Sequence, residues 1–447
     1  MAADRQSAGI EYDLSRRSFV AASAAVSLVT TGAVAASPKP LFPKSFLWGA
    51  ATAGHQVEGN NVASDIWLLE QVKPTLFKEP SGDACDSLHR WSEDLDLIRS
   101  MGLNCYRFSV EWSRIEPAEG QVSTAELDHY KRVIAGCHDR GLTPVVTYNH
   151  FTSPRWFAAK GGWENADAPD LFARYCERVT REFGSGIGFA VTFNEPNLRV
   201  GGNWSPNPMP AELPGMVAAM LGAAARACGS DRFSLLNVGN YTVSQPNVLK
   251  GHRLARAAIK SECPALPVGL SLALADDQAV GHSRLLDQKR REMYQAFLDA
   301  AKEDDFIGVQ TYSRSLIGPH GALPPPRGAE LTQVGDEFYP SALEGSVAYA
   351  HKATGRPVLI TENGIAAQDD RQRVRFIPAA LDSVKKAVVR GVPILGYIHW
   401  SLLDNFEWMS GYGPKFGLVA VDRTTFKRSP KPSARVYAEA VAQLSAG

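Results

Sequence analysis

Eight short apolar runs recur along the chain, at 46–52, 104–109, 143–149, 189–194, 268–273, 306–312, 357–361 and 392–399. Between several of them lie longer stretches, at 92–101, 125–140, 168–183, 286–301 and 375–390, where apolar residues return at helical spacing among charged ones. This order predicts a parallel sheet, because parallel neighbours need a crossover connection and a helix supplies it. Eight such units fit an α/β fold, the closed (β/α)8 barrel. The rival arrangement is an open, doubly wound sheet. No G-x-G-x-x-G or P-loop follows the first run, which weakens that rival. There is no internal repeat and no long linker, and the Pro/Gly-rich stretch 318–328 reads as a loop insertion. A single barrel domain over 37–447 is therefore expected.

The first 36 residues read differently. Arg16-Arg17 is followed by small and apolar residues from Phe19 to Ala36, closing on Ala33-Val34-Ala35-Ala36. A charged start, an apolar middle and a small-residue end describe a cleavable export signal, and the paired arginines are of the twin-arginine type. The expectation is cleavage near Ala35 or Ala36 after engagement of the twin-arginine export machinery. The mature chain would then be periplasmic or extracellular and not membrane-bound. A membrane anchor is the weaker reading, because the run is rich in Ala, Ser and Thr and barely long enough to span a bilayer.

Charge narrows the function. The 447 residues carry 47 Lys and Arg against 47 Asp and Glu. A nucleic-acid binder needs a basic excess to neutralise phosphates, so that class is disfavoured. The six cysteines include no C-x-x-C pair, so neither a zinc site nor a disulfide framework is expected, and most should be buried thiols. No metal-ligand spacing and no nucleotide-cofactor motif appears, so no cofactor is expected.

In a barrel the C-terminal ends of the strands carry the site, so the polar residues that close each apolar run are the candidates. The first run leads into Gln56 and Glu58, and the second carries Arg107. The third ends at His150, and the fourth at Asn194-Glu195. The sixth ends at Tyr312, and the seventh at Glu362-Asn363. The eighth ends at Trp400, with Glu407 and Trp408 just beyond. A lone carboxylate at a strand end is more often solvated or ion-paired. Two of them across one mouth, with amides, an Arg and Trp faces, suit glycoside cleavage. One acid protonates the leaving oxygen, the other attacks the anomeric carbon or activates water, and indole faces stack on sugar rings.

At this point the motifs carry a resemblance. They are Phe42-Pro43-x-x-Phe46-x-Trp48-Gly49, Gln56-x-Glu58-Gly59, Tyr106-Arg107-Phe108-Ser109, Thr192-Phe193-Asn194-Glu195-Pro196, Ile360-Thr361-Glu362-Asn363-Gly364 and Trp400-Ser401-Leu402-x-Asp404-Asn405-Phe406-Glu407-Trp408. Taken in order, they resemble glycoside hydrolase family 1, the retaining β-glucosidases. The resemblance implies a (β/α)8 barrel with Glu195 as general acid/base and Glu362 as nucleophile. It implies that Asn194 holds the sugar 2-hydroxyl, and that Arg107 and Tyr312 contact Glu362 and keep it ionised. Gln56, His150, Glu407 and Trp408 would bind hydroxyls of the non-reducing sugar, with Trp400 as the floor under its ring. The substrate would be a small glycoside or oligosaccharide. Another sugar (galactose or fucose), transglycosylation, or a barrel that only binds sugar remain the alternatives.

Some positions depart from the commoner family pattern. Phe151 stands where many members have Trp, Gln310 where Asn is usual, and Thr311 where Tyr is common. Members acting on 6-phosphoglycosides usually lack a Trp after the sugar-binding Glu and add a Ser, a Lys and a Tyr nearby. Here Trp408 is present and Phe416 fills the Tyr position, which favours a neutral sugar.

Overall fold

The structure, a computed structural model of the chain, describes residues 41–207 and 209–446. The export-signal expectation at 1–36 lies outside the described residues.

Eight parallel strands close into a barrel. They are β1 (Leu47–Ala51), β2 (Cys105–Ser109), β3 (Thr143–Asn149), β4 (Phe189–Asn194), β5 (Val268–Ala273), β6 (Phe306–Gln310), β7 (Val358–Asn363) and β8 (Ile394–Trp400). Each strand pairs with its neighbours in sequence, and β1 closes the ring against β8 with Ala51 opposite Trp400. The (β/α)8 expectation is met, and the open sheet is excluded.

A helix follows each strand. These are α1 (Ser87–Ser100), α2 (Thr124–Asp139), α3 (Ala168–Phe183), α4 (Tyr241–Glu262), α5 (285–301), α6 (Ala342–Thr354), α7 (Asp370–Val389) and α8 (Pro432–Ala446). In α3 the buried residues Phe172, Tyr175, Cys176, Val179 and Phe183 form one stripe at helical spacing. Pro169 sits in its first turn, where the missing N–H costs nothing. α5 passes through a π-turn at Arg291–Gln295. The stretch 318–328 is not all loop. Arg314–Gly318 and Gly321–Leu323 form a hairpin that pairs with Asp276–Ala279, a small sheet outside the barrel wall.

Strand alternation sorts side chains into two layers. Leu47, Cys105, Val145, Val191, Phe306, Leu359 and Ile398 pack inside the barrel. Their neighbours Trp48, Tyr106, Val146, Ala190, Ile307, Ile360 and Tyr397 pack outward against the helices. All six cysteines are free; Cys85, Cys105, Cys137 and Cys176 are buried, and Cys228 and Cys263 are partly exposed. Among the described residues, no helix is long and apolar enough to cross a membrane.

Candidate active site

Alternation delivers Arg107 to the barrel interior directly, two residues after the inward Cys105. It does not deliver the two carboxylate-bearing ends. From the inward Val191, alternation would turn Phe193 inward. The ladder to β5 shifts register between Val191 and Asn194, and Phe193 instead packs outward against Trp163 and Phe172. The ladders of β7 shift in the same way after Ile360, on both sides. Glu362 thereby turns in. Asn363 goes elsewhere, donating to the Thr311 carbonyl at 2.6 Å and accepting from the Tyr397 hydroxyl at 2.9 Å. Irregularities of this kind re-aim side chains next to active sites. Gly364 follows because a Cβ there would lie 1.9 Å from the Trp400 carbonyl oxygen.

Glu362 is the hub. Its Oε1 accepts from Arg107 Nη1 at 2.6 Å and from Gln310 Nε2 at 2.7 Å, and its Oε2 accepts from the Tyr312 hydroxyl at 2.5 Å. Arg107 is wholly buried and reaches further. Its Nη2 donates to Asn194 Oδ1 at 2.6 Å and its Nε to Thr147 Oγ1 at 3.1 Å. One guanidinium thus links the ends of β2, β3, β4 and β7.

Glu195, next to Asn194, is treated differently. Among the described residues no side chain hydrogen-bonds its carboxyl. Burial pushes it well above the ordinary carboxylate range, the charge on Glu362 pushes it further, and only Arg107 pulls back. Burial also lifts Glu362, but Arg107 and Tyr312 oppose that rise. The expectation that Arg107 would hold Glu362 low therefore needs correcting. The arginine acts in that direction, and burial outweighs it. The difference between the two acids survives, because the donors that favour the charged form all face Glu362.

The other candidates surround this pair. His150, Trp400 and Trp408 form a ring stack, with His150–Trp400 centroids 5.6 Å apart and His150–Trp408 centroids 6.1 Å apart, both nearly parallel. Burial, then Arg107, push His150 well below its usual value, so it is a neutral imidazole. Gln56 Nε2 donates to the Phe406 carbonyl at 2.7 Å, which ties it to the residue before Glu407. Gln56 Oε1, His150 Nδ1 and Glu407 Oε1 are buried and have no partner among the described residues. Unsatisfied buried polar atoms are costly unless a ligand completes them. Burial raises Glu407 strongly, with the charge on Glu362 adding to the rise and a hydrogen bond from Trp400 opposing it.

The ten side chains to which the resemblance gives a role therefore gather at one mouth, whereas Asn363 turns away and Glu58 pairs with Arg114 at 2.7 Å. Backbone strain gathers there too. Phe151, Glu195 and Trp408 hold φ of +71°, +44° and +50°, a left-handed conformation costing about 1–3 kcal/mol each and kept where function demands it. Beside Glu195 a cavity of about 680 Å³ opens outward, lined by Leu198, Tyr294, Gln310, Tyr312, Arg314 and Glu337 among others. Sequence reasoning gave no role to four residues that serve the site. Gln310 closes β6 as a polar residue, the same signal that found the others. Glu111 and Asp65 gave no such signal. They hold the loop after β3, where Glu111 Oε2 accepts from Thr152 Oγ1 at 2.6 Å and Asp65 Oδ1 accepts from the Ser153 N–H at 3.1 Å. His55 is a third support, its ring parallel to Trp408 at 5.8 Å and hydrogen-bonded to Glu70 at 2.8 Å. Among the described residues no group of three His, Cys, Asp or Glu side chains is placed to hold a metal ion.

Comparison with known proteins agrees with this geometry. The family description "Glycosyl hydrolase family 1" matches residues 39–225 and 323–445. The chain is 32% identical over 439 residues to β-glucosidase A of Thermotoga maritima, covering 90% of this chain and 97% of that protein. A solved β-glycosidase is 48% identical, with a TM-score of 0.86, over 90% of this chain and 98% of that one. An apo β-glucosidase is 46% identical with the same TM-score of 0.86, over 89% of this chain and 98% of that one. A barrel mouth built around two unequal carboxyls, and a match over most of the chain, lead to one assignment: the protein belongs to glycosyl hydrolase family 1 and is a glycoside hydrolase acting on O-glycosyl bonds.

Proposed function

We propose that the protein is an exported retaining β-glucosidase that hydrolyses terminal non-reducing β-D-glucosyl residues through a covalent glycosyl-enzyme. The observation that carries this reading is the unequal setting of the two carboxyls. Glu362 receives three donors and is the better anion. Glu195 receives none and keeps its proton. In the first step Glu362 Oε attacks the anomeric carbon while Glu195 gives its proton to the departing glycosidic oxygen, so the C–O bond to the aglycone breaks as the ester to Glu362 forms. The ester carries no charge, so the repulsion that raised Glu195 disappears and Glu195 ionises more readily. It then takes a proton from water, whose oxygen attacks the same carbon and returns Glu362 as carboxylate. Two inversions give net retention.

In this reading Asn194 binds the sugar 2-hydroxyl, and Gln56, His150, Glu407 and Trp408 bind the remaining hydroxyls. The unpartnered acceptors Gln56 Oε1 and Glu407 Oε1 support that role, since hydroxyls supply donors. Trp400 lies under the ring. The cavity beside Glu195 receives the aglycone. Glucose is the sugar that the names of the relatives favour, and Trp408 favours a neutral sugar over a phosphorylated one.

The test is release of aglycone from aryl β-glucoside, galactoside, fucoside, mannoside, xyloside and 6-phosphoglucoside by residues 37–447. The glucoside is expected to be turned over best. A better galactoside or fucoside would replace the sugar assignment, and binding without turnover of any member would leave only a sugar-binding barrel. A sugar acceptor that diverts product at the expense of hydrolysis would mark a transglycosylase. Export is tested separately. Changing both Arg16 and Arg17 to Lys is expected to keep the unprocessed chain inside the cell, whereas the native chain is recovered outside the cytoplasmic membrane without residues 1–36. Equal recovery of both forms outside would remove the twin-arginine route.

A further inference from the structure

Gln310 is the last residue of β6 and is almost wholly buried. Its Nε2 lies 2.7 Å from Asn194 Oδ1 and 2.7 Å from Glu362 Oε1. The amide can face these two atoms in one way only. Turned over, it would set its own oxygen against two acceptors. Its Oε1 is left as a buried acceptor without a partner among the described residues, at the wall of the cavity beside Glu195.

The consequence falls on Asn194. An Asn side chain presents an acceptor or a donor depending on which way it is turned, and the site has to fix that choice. Asn194 Oδ1 receives two donors, Arg107 Nη2 at 2.6 Å and Gln310 Nε2 at 2.7 Å. Nδ2 therefore turns away from both, and it has no partner among the described residues. We propose that Gln310 is a positioning residue that locks the Asn194 amide so that its Nδ2 donates to the sugar 2-hydroxyl, and that does so from the same nitrogen that steadies Glu362. This rests on the retaining-glycosidase reading above. It gives the Gln found here, in place of the usual Asn, a defined task. A donor carried one methylene further out bridges the neighbour of the acid on β4 to the nucleophile on β7.

Such an interaction is worth most where the 2-hydroxyl bond tightens toward the transition state. The loss on removing Gln310 should therefore depend on whether the substrate has a 2-hydroxyl. The experiment compares an aryl β-D-glucoside with its 2-deoxy analogue in the native chain, Gln310→Leu and Gln310→Glu. For Gln310→Leu, kcat/KM for the glucoside is expected to fall about 10²-fold, the scale of a misplaced catalytic contact. The penalty for lacking the 2-hydroxyl is expected to shrink by about tenfold or more relative to the native chain. Equal losses on both substrates would overturn the inference while leaving the glycosidase reading intact. Absence of glucoside turnover in the native chain would instead remove the reading on which it rests.

Gln310→Glu keeps the shape and tests the same geometry if the Leu variant does not fold. It puts a carboxylate against Asn194 Oδ1 and Glu362 Oε1. Like charge beside Glu362 favours its protonated form, so the acid limb of the kcat/KM profile is expected to move to higher pH. An acid limb that stays in place would overturn the proposed contact with Glu362. A merely structural role for Gln310 would leave the 2-deoxy ratio unchanged.

Discussion

Glu362→Gln is expected to lose at least about 10⁴-fold in turnover of the aryl β-glucoside, with the fold retained. An amide oxygen cannot serve as the nucleophile, and no other side chain stands in its place. Shape is conserved, and the surroundings tolerate the change. The new amide oxygen keeps the contacts with Arg107 Nη1 and Gln310 Nε2, and the new NH₂ faces the Tyr312 hydroxyl, which can rotate to accept. Arg107 loses its charged partner in a buried site, so some fall in Tm is expected alongside the loss of activity. A second readout fixes the role. A 2-fluoro glucoside with a good leaving group should esterify Glu362 in the native chain and leave the variant unlabelled. Label on any other residue would overturn the nucleophile assignment. The pH profile gives an independent sign. Activity requires Glu362 ionised, so the acid limb of kcat/KM reports its loss of a proton, and burial places that limb above the ordinary carboxylate value of about 4.3.

The barrel was legible because a parallel sheet leaves continuous apolar runs. At 143–149, 189–194 and 268–273 the expected strands coincide with β3, β4 and β5. The seventh apolar run stops at 361, whereas β7 continues through the polar Glu362 to Asn363. Polar residues at a strand's end still make ladder hydrogen bonds, and hydropathy does not register them. Three of the helices that follow strands, α4, α6 and α8, are not among the periodic stretches. Pro246 lies inside α4, where it reads as a breaker. The periodic stretch at 375–390 begins inside α7, which starts at Asp370 and contains Pro378.

The site was legible at the level of which strands contribute, and less so at the level of which side chains point inward. Neighbouring residues at the ends of β4 and β7, Phe193 and Asn194 on one and Glu362 and Asn363 on the other, compete for the interior. Register shifts decide between them, and those arise from ladders with strands far away in sequence. The same limit explains Asp65, Glu111 and His55. They act through the loop after β3 and through Trp408, from positions whose buried polar partners are brought close only by the closed barrel. The hairpin within 314–323 depends on pairing with Asp276–Ala279, so its Pro/Gly content alone suggested a loop.

Glu195→Ala is expected to separate the two chemical steps. A leaving group acidic enough to depart unprotonated needs no help from Glu195, so an activated aryl glucoside should still form the glycosyl-enzyme at near-native speed. The second step then lacks its base, and kcat should fall by about 10²–10⁴-fold. Glycosyl-enzyme accumulates, so a burst of aglycone precedes the slow steady state and KM falls with kcat. A substrate with a poor leaving group, such as an alkyl glucoside, loses the acid as well and should be slowed already in the first step, with no burst. The basic limb of the kcat/KM profile for that substrate should disappear, because the group that must stay protonated is Glu195, whose carboxyl burial and the Glu362 charge hold high. Azide supplies the decisive product. It is an anion that attacks without a base, and the space left by the shortened side chain lies at the cavity wall. Attack on an ester held by Glu362 must come from the face the aglycone left, so added azide should restore turnover and yield the β-glucosyl azide. An α-azide would place the nucleophile elsewhere, and equal losses for activated and unactivated substrates would deny Glu195 its part in protonating the leaving group.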